Sequence, residues 1–162
     1  MSRNGDGVRE FPRLDETDRK ILALLQDNAR ISNAEIGRRI DLAASAVHHR
    51  IRKLEESQVI RGYEARVDPR ALDFDLVSFV RVQTGPGARA AEITDALTHI
   101  TEVQEVHRVV GEDCFFVKVR VRDPDDLARL LDDQIQPIPN VASTKTTIVL
   151  TTAKESRILP VD

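Results

Sequence analysis

Leu14–Tyr63 reads LDETDRKILALLQDNARISNAEIGRRIDLAASAVHHRIRKLEESQVIRGY, and this stretch decides the first half of the fold. Two short amphipathic segments meet at a tight junction, Asp41-Leu42-Ala43, and the second segment is rich in histidine and basic side chains. This is the pattern of a helix-turn-helix, which lays a basic second helix on DNA. We therefore predict a DNA-binding domain over residues 14–62.

Capping signals and apolar spacing predict where the helices of this domain lie. Asp15 can cap the first helix. Ser32 with Glu35 matches a capping box at the start of the second helix, in which each side chain satisfies the other residue's backbone amide. The third helix is predicted over residues 44–58. Its buried face is defined by three apolar residues at helical spacing, Val47, Ile51 and Leu54.

The side of the third helix opposite its buried face is the candidate DNA-contacting surface. Residues early in a recognition helix reach base edges, whereas basic side chains farther along meet phosphates. Residues 37–53 carry five basic groups against one acidic group, although the whole chain has a net charge of −3. The alternative is a charged face that is merely solvated, and the almost purely basic character of this face favours DNA contact. The predicted DNA-binding residues are Ser45, Ala46, His48, His49, Arg50, Arg52 and Lys53.

The sequence also disfavours several classes of protein. Cys114 is the only cysteine, so an intrachain disulfide is impossible. No apolar run approaches the roughly 18 residues that a membrane span needs. Residues 1–13 lack the apolar segment of a signal peptide, so we predict a flexible tail there and a soluble, cytoplasmic protein. His48 and His49 point about 100° apart on a helix, so we predict no metal site. No catalytic arrangement can be assembled, so we predict neither an enzyme nor a cofactor.

Residues 76–152 show strands and helices in the order β-α-β-β-α-β. Predicted strands cover residues 76–84, 103–110, 114–122 and 141–151, and predicted helices cover residues 88–100 and the stretch that begins at Pro124. This is the order of the ferredoxin-like unit, whose sheet has helices on one face only. The other face must be solvated or covered by another chain, which indicates a dimer. We predict an α+β protein with a linker or hinge strand over residues 63–75 and a C-terminal tail over residues 153–162.

Three segments resemble the Lrp/AsnC family, the feast/famine transcriptional regulators of bacteria and archaea. They are LD-x-x-DRKIL-x-x-LQ-x-x-x-R over Leu14–Arg30, RIRKLEESQVIRGY over Arg50–Tyr63 and VVGEDCFFVKV over Val109–Val119. The resemblance covers residues 14–150 and implies a winged or simple helix-turn-helix joined to a ferredoxin-like effector domain. It further implies protomers that pair through their sheets, often into octamers of four dimers. Small effectors, usually amino acids, bind between the C-terminal domains of such proteins.

The family's effector turn has the pattern Gly-Asp/Glu-x-Asp-aromatic. The resemblance assigns effector contacts to Gly111, Glu112, Asp113 and Cys114. Cys114 stands where an aspartate that could hold an α-ammonium group is common. Judged by residue types alone, Gly-Glu-Asp between two strands is an ordinary hairpin turn. Thr144 and Thr146 share a face of the last strand and are weaker candidates as hydroxyl donors to a ligand, the alternative being ordinary strand residues.

Together these observations predict a sequence-specific DNA-binding transcriptional regulator whose DNA binding or assembly responds to a small effector, an amino acid by resemblance. Two alternatives stay open. One is an architectural protein that bends or wraps DNA with little dependence on sequence. The other is an enzyme similar to haem-pathway decarboxylases on the same fold, against which the basic face of the third helix argues.

Overall fold

The structure, a computed structural model, describes residues 11–111 and 114–161. The predicted effector residues Glu112 and Asp113, and most of the predicted N-terminal tail, lie outside the described residues. The chain divides into two compact units. The first holds the residues up to Arg66 together with those from Glu155 onward, and the second is Val67–Lys154.

The first unit contains three helices, α1 (Glu16–Asp27), α2 (Asn33–Ile40) and α3 (Ala44–Glu56). Asp15 caps α1 as predicted, because its carboxylate accepts a hydrogen bond from the Asp18 amide at 2.8 Å. The Asp18 carboxylate in turn accepts from the Asp15 amide at 3.2 Å. The helices pack around a small apolar core made of Ile21, Ile36, Val47, Ile51 and Leu54, which confirms the predicted buried face of α3.

The predicted capping box at α2 is half formed. Ser32 Oγ accepts a hydrogen bond from the Glu35 amide at 3.2 Å. The Glu35 carboxylate, however, binds Arg38 and Arg39 one turn farther along the helix. These i,i+3 and i,i+4 partners satisfy the carboxylate within the helix. α3 ends two residues before the predicted end, because Gln58 adopts a left-handed conformation with φ of 59°.

The segment between α3 and the sheet differs from the predicted hinge strand. Residues 61–68 form neither helix nor strand, and Pro69–Leu72 form a short 3-10 helix capped by the Asp68 carboxylate. A strand requires a hydrogen-bonded neighbour, and no ladder of the described chain includes these residues.

The second unit confirms the predicted ferredoxin-like order. Its elements are β1 (Leu76–Thr84), α4 (Ala90–Thr98), β2 (Val103–Arg108), β3 (Phe115–Val121), α5 (Pro124–Arg129) and β4 (Val141–Ile148), with a π-helix over Leu130–Ile135 after α5. The four strands form one antiparallel sheet in the order β2-β3-β1-β4. The predicted strands and helices are present, although most end one to three residues earlier than predicted.

Alternate residues of the two central strands point to opposite faces of this sheet. One face packs against the helices in a core that includes Val80, Val117, Ile93 and Leu97. The other face carries polar residues around an aromatic pair, in which the rings of Phe79 and Phe116 stack with their centroids 5.2 Å apart. No helix in the described residues is long and apolar enough to cross a membrane.

Candidate nucleic-acid interface and effector pocket

Helix α3 presents most of the predicted DNA-binding residues to solvent. Its buried side is occupied by the core, so the opposite side is necessarily outward. The exposed residues are Ser45, His48, His49, Arg52 and Lys53, and Ala46 and Arg50 are half-buried. The structure therefore brings the predicted side chains onto one accessible helical face, with Arg50 at its edge.

Gly37 determines how closely α2 approaches the turn that leads into α3, and sequence reasoning missed it. The Leu42 amide donates to the Gly37 carbonyl oxygen at 2.8 Å. A Cβ atom on Gly37 would lie 2.3 Å from the Leu42 carbonyl oxygen, a distance that no real Cβ contact reaches. Only glycine permits this approach of two backbones. The available signal was a glycine inside a helical pattern, which usually marks a close contact.

Arg50 is bound to the start of α1. Its Nη1 atom lies 2.7 Å from an Asp15 carboxylate oxygen and 2.8 Å from an Asp18 carboxylate oxygen. The hydrogen bond from the Asp18 amide, followed by the one from Arg50, holds the pKa of the Asp15 carboxyl below its ordinary value. Hydrogen bonds to Asp15 and Asp18 likewise raise the pKa of Arg50. Arg50 thus connects the recognition helix to α1.

The two basic residues farther along α3 differ in their partners. Arg52 Nε donates to Glu56 at 2.8 Å, and both side chains are more than 60% exposed. Such a surface ion pair is weak and can exchange its carboxylate for a phosphate. Within the described part of the chain, Lys53 has no ion pair. His48 Nδ1 lies 3.5 Å from Asn33 Nδ2 at the start of α2.

Tyr63 follows the recognition helix and is tied back to it. Its hydroxyl donates to Glu55 Oε1 at 2.8 Å. Partial burial, followed by this hydrogen bond to a carboxylate, raises the pKa of Tyr63 to about 12.

The predicted effector turn connects β2 to β3 as a hairpin. The Val109 amide donates to the Cys114 carbonyl oxygen at 3.1 Å across its base. Gly111 has a φ of 140°, which an L side chain adopts only with strain. Hairpin geometry alone therefore accounts for the glycine, as the reading from residue types suggested.

A pocket of about 150 Å³ opens beside this hairpin. Its lining residues come from β1, α4, the end of β2 and the hairpin, and they are Thr84, Ala88, Ala90, Arg108, Val109, Gly111, Cys114 and Phe115. Thr84 Oγ1 lies 3.0 Å from Cys114 Sγ. Arg108 supplies an exposed cation at the rim. The pocket thus combines a positive charge, a hydroxyl and a small apolar wall.

The structure separates the predicted effector residues into two groups. Gly111 and Cys114 line the pocket, whereas Thr144 and Thr146 do not. These threonines pair with Val82 and Val80 of β1 and are half-buried in the edge strand. Sequence reasoning missed Thr84 and Arg108, which the fold brings to the turn from other strands.

Comparison with known proteins adds the family. Residues 14–61 match a model described as a winged helix-turn-helix DNA-binding domain, and residues 77–159 match one described as the Lrp/AsnC ligand binding domain. The HTH-type transcriptional regulator FL11 of Pyrococcus horikoshii is 38% identical over 148 residues, which cover 91% of this chain and 97% of the relative. The solved structure of Escherichia coli AsnC is 30% identical with a TM-score of 0.86, covering 92% of this chain and 100% of that one. A transcriptional regulator of Neisseria meningitidis, solved with L-methionine, is 27% identical with a TM-score of 0.86 and covers 93% of this chain and 98% of that one. The chain belongs to the Lrp/AsnC family of transcriptional regulators.

Proposed function

We propose that this protein is a sequence-specific DNA-binding transcriptional regulator that responds to an amino acid. The DNA-binding part of the proposal rests on the exposed face of α3. The close approach of Gly37 to the turn before α3 holds this helix on the core of the first unit. The relatives named above are regulators, which favours this function over the decarboxylase-like enzyme. Because DNA is the target, we infer that the protein works in the cytoplasm of a bacterial or archaeal cell.

The residues of α3 divide by role. Those in its first half are assigned to base edges, and they are Ser45, Ala46, His48 and His49. Arg52 and Lys53 lie one or two turns farther along and are assigned to phosphates. We assign Arg50 a positioning role, because its guanidinium already binds two carboxylates of α1.

Salt dependence of DNA binding tests these roles. Replacing Arg52 or Lys53 by alanine should weaken binding to all DNA and lower the slope of log affinity against log salt by about 0.9 each. Arg50→Ala should leave that slope unchanged, because Arg50 meets no phosphate. Arg129→Ala, which removes an exposed arginine from the second unit, is the matched control. Wild-type binding by both the Arg52 and Lys53 variants would remove α3 from the interface.

Sequence preference separates the regulator from the architectural alternative. His49→Ala should change which DNA sequences are bound more than it changes overall affinity, since base contacts carry the specificity. The measurement is selection from a random DNA pool. If the wild-type protein enriches no sequence but retains a steep salt slope, the architectural function is the better one.

The pocket beside the hairpin is the proposed effector site. Arg108 is placed to bind a carboxylate, and the acidic residues Glu112 and Asp113, adjacent to Gly111 in the sequence, are assigned to the amine of an amino acid. Cys114 and Thr84 would contact the remainder of the ligand. The complex of the Neisseria meningitidis relative with L-methionine supports an amino-acid ligand of this size.

Calorimetry with the common amino acids tests this site. A charge-assisted hydrogen bond contributes about 1.5–3 kcal/mol, so Arg108→Ala, Glu112→Ala or Asp113→Ala should each weaken binding roughly ten- to a hundredfold. Arg129→Ala is again the control. Thr144→Ala and Thr146→Ala test the weaker candidates and should change affinity little, because both lie away from the pocket lining. Unchanged affinity in the first three variants would exclude the pocket.

Assembly is proposed to occur through the helix-free face of the sheet. The stacked Phe79 and Phe116, both half-buried in this chain, form its apolar centre, and aromatic residues are enriched at protein interfaces. A dimer, and beyond it an octamer, would cover this face. Light scattering should show assemblies larger than a monomer at micromolar concentration, and Phe79→Glu should shift them toward monomer. A wild-type monomer would contradict the proposal.

A further inference from the structure

The C-terminal residues 155–161, here called the strap, are hydrogen-bonded to the helix-turn-helix unit at two places. At the end of α1, the Leu159 amide donates to Gln26 Oε1 at 2.7 Å, and Gln26 Nε2 donates to the Leu159 carbonyl oxygen at 3.0 Å. Arg157 Nη1 donates to the two carboxylate oxygens of Glu64 at 2.9 and 3.1 Å.

The paired bonds at Gln26 are a specific contact. A side-chain amide offers a donor and an acceptor side by side, as a neighbouring β-strand does to a residue of its partner. Two bonds to one residue fix the strap's position along α1. The ion pair between Arg157 and Glu64, two residues away along the strap, then fixes its direction.

The path of the chain gives this contact a mechanical consequence. The chain enters the second unit at Val67 and leaves it at Lys154. With the strap docked, the first unit is connected to the second by two segments of chain, and with the strap released it is connected by one. Each added connection reduces the conformational freedom of the joined units.

We propose that Gln26 and Glu64 form a docking surface for the strap, and that the docked strap restricts how the helix-turn-helix can turn. Dimeric helix-turn-helix proteins bind half-sites about one helical turn, or a multiple of it, apart. A helix-turn-helix unit that is held by two connections accepts fewer half-site spacings than one that is held by a single linker. The strap thereby sharpens the choice of DNA site. The effect on half-site spacing rests on the proposed DNA-binding dimer, whereas the docking of the strap does not.

The contact is weak enough to open and close. The side chains of Arg157 and Glu64 are 75% and 71% exposed, and such a pair adds little stability. Ile158 and Leu159 remain 57% and 69% exposed, so apolar burial adds little too. Docking depends on the short connection after β4, since a short flexible linker gives an effective concentration in the millimolar range. Docked and released straps should therefore coexist.

Hydrogen exchange in the full-length protein tests the docking without DNA. The Leu159 amide should exchange severalfold more slowly than in an unstructured peptide of the same sequence. Gln26→Ala should abolish this protection, and the matched control Gln134→Ala, at an exposed glutamine of the second unit, should preserve it. Arg157→Glu and Glu64→Arg should each reduce protection, and the double variant should restore it. An unprotected wild-type amide, or no rescue by the double variant, would overturn the docking.

A series of DNA duplexes tests the consequence for spacing. Wild type should prefer one half-site spacing over a spacing shifted by half a helical turn, about 5 base pairs. A chain truncated after Lys154 should bind the preferred spacing similarly and lose at least threefold of that preference. Equal preference in both proteins would overturn the role in spacing. Loss of all DNA binding by wild type would instead refute the DNA-binding function and leave the exchange result standing.

Discussion

Replacing Gly37 by alanine should destabilise the helix-turn-helix unit, although alanine is the better helix former. The new Cβ atom would lie 2.3 Å from the Leu42 carbonyl oxygen, whereas carbon–oxygen contacts rarely fall below about 3.3 Å. The Leu42 amide is itself bonded to the Gly37 carbonyl oxygen at 2.8 Å. The distance between the new Cβ atom and the Leu42 carbonyl oxygen must therefore grow by about 1 Å. Only a movement of the backbone can achieve this, because the clashing oxygen belongs to the backbone and not to a flexible side chain.

Two opposing terms determine the size of the effect. Alanine in place of glycine favours a helix by about 1 kcal/mol, and overpacking a tight site costs about 1–3 kcal/mol. Here the clash is with backbone, so we expect the upper part of that range and a net loss of about 2 kcal/mol. DNA affinity should also fall under conditions where the variant is folded, because relief of the clash tilts α3.

Urea unfolding followed by tyrosine fluorescence measures the loss. The chain contains one tyrosine and no tryptophan, and Tyr63 lies in the first unit, so its signal reports on that unit. Gly85→Ala is the matched control, since its Cβ would meet no atom closer than 4.0 Å and its φ is not in the left-handed region. If Gly37→Ala were as stable as wild type, the close approach of α2 and the turn would be refuted.

Three further predictions concern single side chains. Tyr63 should titrate near pH 12 in wild type and nearer to 10 in Glu55→Gln, as followed by tyrosinate absorbance. Because its folded pKa is raised, its stabilising contribution is complete below about pH 10 and is lost as the pH rises toward 12. Ser78→Ala should be neutral or stabilising by about 1 kcal/mol in urea unfolding followed by circular dichroism, which reports on both units. The buried Ser78 hydroxyl has no hydrogen-bond partner among the described residues, and a clear loss of stability would reveal one. Ala43→Ser should stabilise α3 by about 1 kcal/mol by the same assay, since the cap of α3 has no side-chain hydrogen bond; no gain would mean that the serine hydroxyl fails to reach the helix.

The parts of the fold that local signals control were predictable from the sequence. Asp15 caps α1 and Asp123 caps α5, because each carboxylate accepts a hydrogen bond from the backbone amide three residues farther along the chain. In β3, alternate positions of the sequence are apolar, and the structure buries this set, Phe115, Val117, Val119 and Val121, in the core. Helix and strand ends were less accurate, since they depend on where tertiary contacts stop.

Features that depend on distant or subtle contacts were not predictable. The π-helix after α5 places Leu130 and Ile135 in the core together. In an α-helix, residues five positions apart point about 140° away from each other, so an α-helical pattern does not predict this arrangement. The ion pairs of Arg50 with Asp15 and Asp18 could not be predicted, because these partners lie more than 30 positions earlier in the chain. Thr84 and Arg108 reach the proposed effector pocket from β1 and β2, and spacing in the sequence cannot show that these residues come together.

The attraction of the helix-turn-helix unit to DNA depends on how many of its basic side chains already have carboxylate partners. Arg38 and Arg39 bind Glu35, Arg52 binds Glu56, and Arg50 binds the two acids at the start of α1. A phosphate must displace an exposed carboxylate before it can use Arg52, so part of the attraction to DNA is cancelled within the protein. Non-specific binding depends almost entirely on that attraction, whereas the base contacts proposed for the early part of α3 do not. Internal pairing of this kind therefore weakens the electrostatic attraction to any DNA. The base contacts proposed for the early part of α3 would then account for a larger share of the binding free energy at the correct site.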